Sequence, residues 1–232
     1  MNIIKGDIHE EIKKLKDNTF DILYTDPPYA MTQAKWDTPL KWNVLWEDIW
    51  RVLKPNGIVI LHSTQRFTIE LGATQLKHFK YKYVWKKNIA TNFFLCKKQP
   101  LRIIEDILIF YKKNGTYNPQ MVGDEFHEKR NVKFGGKQGY YGKSGINKKN
   151  EYNKEEGHKG RFPNDLLEYD IRKGKGGAST RPNELVEFIL KTYTNENDSI
   201  LDITCYDALT GKIATKLNRN YTGIDLEPIF NL

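Results

Sequence analysis

The chain has 232 residues and a net charge of +8, with an isoelectric point near 9.2. That length suits one sizeable α/β domain with an insertion, and the charge favours a polyanionic partner over an acidic protein surface. Cys96 and Cys205 stand far apart, no Cys/His cluster or histidine ligand spacing appears, and no apolar run approaches a membrane span, which argues against a disulfide scaffold, a metal centre or a membrane protein and for a soluble protein of the reducing cytoplasm.

Taken in chain order, Ile8, Ile12 and Leu15 fall at helical spacing, with Asp17 and Asn18 as a stop. Residues 20–25 are rich in β-formers and read as a buried strand that delivers Asp26-Pro27-Pro28-Tyr29 at its end. Over 41–53, Trp42, Leu45, Trp46, Ile49, Trp50 and Leu53 make the stripe of an amphipathic helix, so these tryptophans belong to a core rather than to a base-stacking array. Residues 54–57, Lys-Pro-Asn-Gly, close that helix, and the apolar run 58–62 suits a parallel strand covered on both faces. A helix is expected at 66–77 and strands at 81–85 and 106–111, the second after a basic connection with Lys97, Lys98 and Arg102.

Composition changes at Asn114. From there to 178 the chain is dense in Gly, Lys, Asn and Tyr with little periodicity, as in Tyr140-Tyr141-Gly142-Lys143 and Lys159-Gly160-Arg161-Phe162. Such a stretch reads as a target-recognition loop in which cations meet phosphates while aromatics stack, or else as a solvated insertion that contacts nothing in particular. Periodicity returns with a helix around 185–190, a turn at 195–198, a strand at 199–203, a helix at 211–217 and a strand at 221–224 that ends at Asp225. Strand, turn, helix and strand with an acid at the tip, about 20 residues beyond the first strand, is the half of a doubly wound fold that holds a ribose. The expected architecture is an α/β, Rossmann-like, mostly parallel doubly wound sheet formed by 1–113 and 179–232, with 114–178 inserted.

The chemistry of Asp26-Pro27-Pro28-Tyr29 suits a flat ring that bears an amino group. An exocyclic amine on adenine or cytosine is a poor nucleophile, because its lone pair is delocalised, and it has to be held and aimed. Asp26 can accept one N–H and the Pro27 carbonyl the other; the prolines fix φ near −65° and carry no N–H, so the turn presents carbonyls at little further entropic cost. Tyr29 supplies a face on which a base stacks. A base inside a duplex cannot reach such a pocket, so it has to be flipped out. This reading fails if the carboxylate is buried in a salt link with no adjoining cavity wide enough for a purine. A Pro-Pro turn with an Asp turn former is also ordinary punctuation after a strand.

In this order the pieces resemble the circularly permuted, β-class amino-methyltransferases of DNA, over most of the chain. Asp26-Pro27-Pro28-Tyr29 is similar to the family's catalytic tetrad, Lys5-Gly6-Asp7 to its Gly-Asp near the cofactor's adenine, and Ala34-Lys35-Trp36-Asp37 to the Trp-Asp of the adjoining loop. Residues 51–57 resemble its helix-to-strand connection, residues 105–110 a later core strand, and Ser179-Thr180-Arg181-Pro182-Asn183-Glu184-Leu185 the segment beside the cofactor's methionine end, Arg181 keeping the positive charge for a carboxylate. The resemblance implies S-adenosylmethionine as cofactor, with Asp7, Ser179, Thr180, Arg181, Asp202, Thr204 and Asp225 as its contacts; Asp7 and Asp202 equally suit strand-end caps. It implies double-stranded DNA as partner, adenine N6 as methyl acceptor with cytosine N4 second, and a homodimer or partner subunit as options.

Residues 201–211 stand where the family has its glycine-rich loop, and they depart from it: Tyr206 and Ala208 replace glycines, Asp207 adds charge, and Ile203-Thr204 replaces Pro-Phe. A bulky Tyr206 is expected to narrow or block the cofactor groove. Two alternatives to the adenine enzyme follow, a DNA-binding scaffold or partner subunit that has lost its cofactor, and a methyltransferase of RNA or of a protein glutamine.

Overall fold

The computed structural model describes residues 1–32, 34, 36–127, 158–173 and 179–229; Tyr140-Tyr141-Gly142-Lys143 and Lys35 lie outside the described residues. The chain divides into two compact units, Met1–Asn118 with Asn164–Leu232, and Pro119–Pro163. The larger unit contains β1 (Asn2–Lys5), α1 (Ile8–Lys14), β2 (Phe20–Thr25), α2 (Trp42–Val52), β3 (Leu53–Ser63), α3 (Gln65–Thr74), β4 (Phe79–Thr91) and β5 (Arg102–Tyr111). The smaller unit pairs β6 (Val122–His127) with β7 (His158–Arg161) antiparallel. Gly160 is required there, because at φ +77° a Cβ would sit 2.6 Å from the Gly123 carbonyl oxygen. The larger unit then resumes with β8 (Leu166–Glu168), β9 (Arg172–Lys173), β10 (Ser179–Thr180), α4 (Asn183–Tyr193), β11 (Ser199–Asp202), α5 (Leu209–Lys216) and β12 (Asn220–Asp225).

One eight-stranded sheet runs in the order β1-β12-β11-β2-β3-β5-β4-β8. It is parallel from β1 to β3, antiparallel where β5 lies between β3 and β4, and parallel again from β4 to β8. Period-2 alternation along the strands supplies both faces. Ile22, Tyr24, Ile58 and Ile60 point toward α4 and α5, where Leu185, Ile189, Tyr193 and Ile213 meet them. Leu23, Val59 and Leu61 point the other way, toward Ile12 of α1, Trp46 and Ile49 of α2 and Phe67 of α3. The expected doubly wound sheet is therefore the fold.

Its connections reverse between β2 and β11. From β2 the chain passes through α2 to β3 on one side; from β11 it passes through α5 to β12 on the other. Open α/β sheets bind ligands in the crevice outside the carboxyl ends of strands at such a reversal.

Several local expectations change. Residues 54–57 do not close a helix but bulge within β3: Phe20 pairs with Leu53 and Ile22 already with Ile58. Lys54 holds the bulge by donating to both Asp21 oxygens, at 2.7 and 2.8 Å. The helix expected at 66–77 ends at Thr74, whose hydroxyl donates back to the Leu71 carbonyl and accepts from Trp46 Nε1. Strands β4 and β5 run longer than their apolar cores at 81–85 and 106–111. Residues 164–173, which composition grouped with the insertion, belong to the larger unit, because β8 adds to the edge of β4. No described helix is long and apolar enough to cross a membrane.

The tryptophan stripe of α2 carries much of one core. Trp46 is 2% exposed, and its ring lies 5.2 Å from Phe110 and 5.8 Å from Trp50. Trp46→Ala is expected to cost about 3–5 kcal/mol in urea unfolding, whereas Val44→Ala on the exposed face of α2 stays within about 0.5 kcal/mol of the parent.

Candidate active site

The carboxyl ends of β2 and β11 are joined by a polar clamp. Thr25, the last residue of β2, donates to Asp202 Oδ1 at 2.7 Å, and its oxygen lies 2.6 Å from the Thr204 hydroxyl. The Thr204 hydroxyl also faces the Asp26 carbonyl oxygen at 3.1 Å, and Tyr221 of β12 donates to Asp202 Oδ2 at 3.1 Å. Asp202 is fully buried. Burial pushes its carboxyl up; Arg181 and the donors Thr25, Thr204 and Tyr221 oppose that.

Asp26 leaves β2 directly above this clamp. Its Oδ1 accepts from the Tyr29 hydroxyl at 2.6 Å, and its Oδ2 is paired with Arg181 Nε at 3.4 Å. Arg181 comes from the segment that enters α4, its side chain is 11% exposed, and its guanidinium lies over the Tyr24 ring, 5.6 Å from the centroid. Burial opposes the charge on Arg181, but Asp26, Tyr24 and Asp202 outweigh it and hold the guanidinium above its ordinary value. The salt link named above as the danger to the amine-binding reading is therefore present. Burial is not complete, since 31% of the Asp26 side chain stays exposed, and each carboxylate oxygen keeps a second lone pair. A cleft of about 380 Å³ lies at the opposite end of the sheet, lined by Ile58, Tyr81, Tyr111, Tyr117 and Tyr193 among others, and does not adjoin Asp26.

Behind the ion pair, the Tyr24 hydroxyl meets His62 Nε2 at 3.0 Å. Burial pushes His62 down to about 4 and Tyr24 up to about 12. Burial and the adjacent Asp26 push Tyr29 well above the ordinary phenol range. Its ring is half-buried and tilts against Phe67, 5.4 Å between centroids. One face of the expected stacking residue is thus taken by the protein.

The loop after the tetrapeptide is shaped by Asp37. Its Oδ1 accepts from Ala30 N at 2.8 Å, and its Oδ2 accepts from Met31 N at 2.8 Å and Thr32 N at 2.6 Å. Burial raises its carboxyl, yet these bonds win and hold it below the ordinary carboxylate value. A left-handed Ala30 starts the turn, and Trp36 stands 73% exposed beside it.

The expected cofactor contacts fall into two groups. Asp202, Thr204 and Arg181 gather around Asp26; Ser179 and Thr180 form β10, paired with β9. Asp7 and Asp225 stand instead at the ends of β1 and β12, which pair side by side. Asp7 caps α1, accepting from His9 N at 2.8 Å. Asp225 accepts from Tyr206 N at 2.8 Å and Glu227 N at 3.0 Å. Asp202 has its oxygens engaged by protein donors and acts here as a clamp. Arg181 Nη1, by contrast, is buried and has no hydrogen-bond partner among the described residues, which fits a carboxylate ligand.

The altered loop keeps the turn that glycines would make. Tyr206 and Ala208 both take left-handed backbone, φ 44° and 53°, and the Tyr206 residue is 55% exposed rather than buried in the loop. Three residues near the tetrapeptide escaped sequence reading as site residues. Thr25 and His62 looked like strand interior, and Glu105 like the start of a core strand; Glu105 is paired with the buried Lys87 at 2.7 Å, and burial and then nearby charges, Lys87 against Asp26, leave its carboxyl raised.

The doubly wound sheet, with its reversal between β2 and β11, is that of the methyltransferase fold. A DNA methylase family model of the N6/N4 type matches residues 20–230. The DNA adenine methyltransferase YhdJ of Escherichia coli K12 is 27% identical over 97% of this chain and 78% of its own. Among solved structures, M1.HpyAVI in complex with SAM superposes with a TM-score of 0.62 at 22% identity over 97% of this chain and 94% of its own. The cytosine-N4-specific PvuII DNA methyltransferase does so with 0.65 at 13% identity over 97% and 82%. The chain belongs to the DNA methylase family, enzymes whose methyl donor is S-adenosylmethionine.

Two measurements check this geometry. Left-handed alanine is strained by roughly 1–2 kcal/mol, but Ala208 is fully buried, so Ala208→Gly also loses a buried methyl worth about 0.8 kcal/mol and frees the unfolded chain; stability is expected to change by less than about 1 kcal/mol in urea unfolding. For His62, the unfolded imidazole binds its proton near the ordinary value and the folded one only near 4, so between those values the unfolded state holds more protons and acidification destabilises the fold. The wild type is expected to lose up to roughly 3 kcal/mol through this group from pH 7 to below pH 4, and the pH dependence of His62→Gln should be shallower by that amount.

Proposed function

We propose that this protein transfers the methyl group of S-adenosylmethionine to N6 of an adenine flipped out of double-stranded DNA. The observation that carries the reading is the placement of Asp26: a partly exposed carboxylate at the sheet's reversal, fixed from one side by Tyr29 and from the other by Arg181. Its remaining lone pairs and the Pro27 carbonyl accept the two amine hydrogens, and Tyr29 offers the ring face not covered by Phe67. A base enters only after leaving the duplex stack.

S-adenosylmethionine, when bound, supplies an electrophilic methyl group on a sulfonium. The chain's part is alignment, which by itself supplies roughly 7–11 kcal/mol in reactions of this kind. Arg181 binds the cofactor's carboxylate through its unpartnered Nη1 while Nε keeps Asp26 in place, so one guanidinium sets the distance between donor and acceptor sites. Asp225 at the tip of β12 retains lone pairs for ribose hydroxyls. The insertion, Pro119–Pro163, reads the target; its density of Lys, Arg and aromatic residues supports that role. Adenine is favoured over cytosine by Asp at the first position of the tetrapeptide and by the adenine specificity in the name of YhdJ, whose similarity spans nearly the whole chain.

The test is methyl transfer from labelled S-adenosylmethionine to unmethylated DNA, RNA and protein, with the product nucleoside identified after digestion. N6-methyladenine in DNA is expected; N4-methylcytosine, or label in RNA or protein, would overturn the assignment. Asp26→Ala should lower transfer by at least about 100-fold with DNA affinity nearly unchanged. Arg181→Gln should weaken cofactor binding roughly 10- to 100-fold by calorimetry, the worth of a charged hydrogen bond.

A further inference from the structure

Strand β3 ends at Ser63, opposite Asp106 of β5. Strands β4 and β5 continue without it: Trp85 pairs with Glu105, Lys86 with Ile104 and Thr91 with Arg102. Four more residues of β5 therefore extend past the carboxyl edge of the sheet, roughly 13 Å at the usual rise, on the same edge from which Asp26 emerges. The arm is tied back to the tetrapeptide's loop by Arg102 Nη1, which meets Met31 Sδ at 3.5 Å. Its tip turns at a left-handed Asn92 into a single 3₁₀ turn, Phe93–Leu95, closed by Lys98 N and Gln99 N donating to the Leu95 carbonyl.

The surface of this arm is unusual for a solvated hairpin. Phe93 is 75% and Phe94 84% exposed, with Ile103 and Ile104 also open at 39% and 42%. Lys86 and Lys87 are ion-paired with Glu168 and Glu105, while the tip itself, residues 91–104, holds Lys97, Lys98 and Arg102 and no Asp or Glu. Exposed apolar area of this kind marks a contact surface. Its charge selects a polyanion over a second copy or an acidic-poor protein face, and its position above the acceptor carboxylate selects the duplex around the extruded base.

We propose that the β4–β5 arm is a wedge that enters DNA beside the target, Phe93 and Phe94 filling the space that the extruded base leaves and Lys97 and Lys98 holding flanking phosphates. Apolar and aromatic side chains inserted at a base step stabilise an unstacked duplex. The wedge rests on the base-flipping reading above, but it concerns different residues and a different step. Phe93 and Phe94 act on opening the duplex, not on the methyl transfer itself.

The experiment uses the full chain, with the target sequence first mapped on methylated DNA. Transfer is then compared on a matched duplex and on the same duplex with a mismatch opposite the target, where the base is already loosened. The Phe93→Ser/Phe94→Ser variant is expected to lose at least 10-fold on the matched duplex and to recover most of that on the mismatched one, with melting temperature and cofactor affinity unchanged. Equal loss on both duplexes, no loss on either, or a changed oligomeric state with normal transfer would overturn the wedge. Wild-type protein inert on every DNA would instead overturn the function on which it rests, and the wedge with it.

Discussion

The hydrogen bond from Thr25 to the buried Asp202 ties together the two strands between which the sheet reverses direction. β2 delivers Asp26 there, and β11 delivers the loop from Ile203 onward. Without the clamp these ends would meet only through backbone pairing that stops at Leu23 and Leu201, two residues short of the site. A buried carboxylate with several protein donors is costly to disturb and rigid as a result, so the clamp fixes the separation between Asp26 and the loop that begins at Ile203.

Arg181 extends the same logic to the other layer. It stands at the entrance to α4, on the face opposite α1–α3, and its guanidinium reaches Asp26 across Tyr24. Two buried or half-buried charges, one from each side of the reversal, compensate each other. Arg181 takes Oδ2 and the Tyr29 hydroxyl takes Oδ1, and the Asp26 side chain stays partly exposed between them.

Much of the fold could be read along the chain because its elements are locally consistent. The alternation in β2, the continuous apolar run in β3 and the tryptophan stripe of α2 each announce their own burial, and the order of strands and helices implies a wound sheet. What escaped were features without a local signature. The bulge at 54–57 looks like a helix stop until Lys54 is seen to find Asp21; the extensions of β4 and β5 are half-polar; and β8 is three residues long, paired to a strand some eighty residues earlier.

The site divides in the same way. Asp26, Pro27, Pro28 and Tyr29 drew attention in the sequence because that combination of acid, rigid turn and ring has a chemical meaning, and Arg181, Thr204 and Asp225 because the order of motifs pointed to them; the structure brings Arg181 and Thr204 to Asp26 and leaves Asp225 at the end of β12. The sequence by itself determined the residue types, their order and the kind of ring they suit. Tertiary structure decided that Tyr29 and Arg181 both hold Asp26, that Asp202 closes a clamp, that Tyr206 and Ala208 keep a left-handed turn, and that a phenylalanine-tipped arm rises beside the carboxylate. These depend on side-chain pairings and backbone angles, several of them between residues more than a hundred positions apart, and none leaves a periodic trace in the chain.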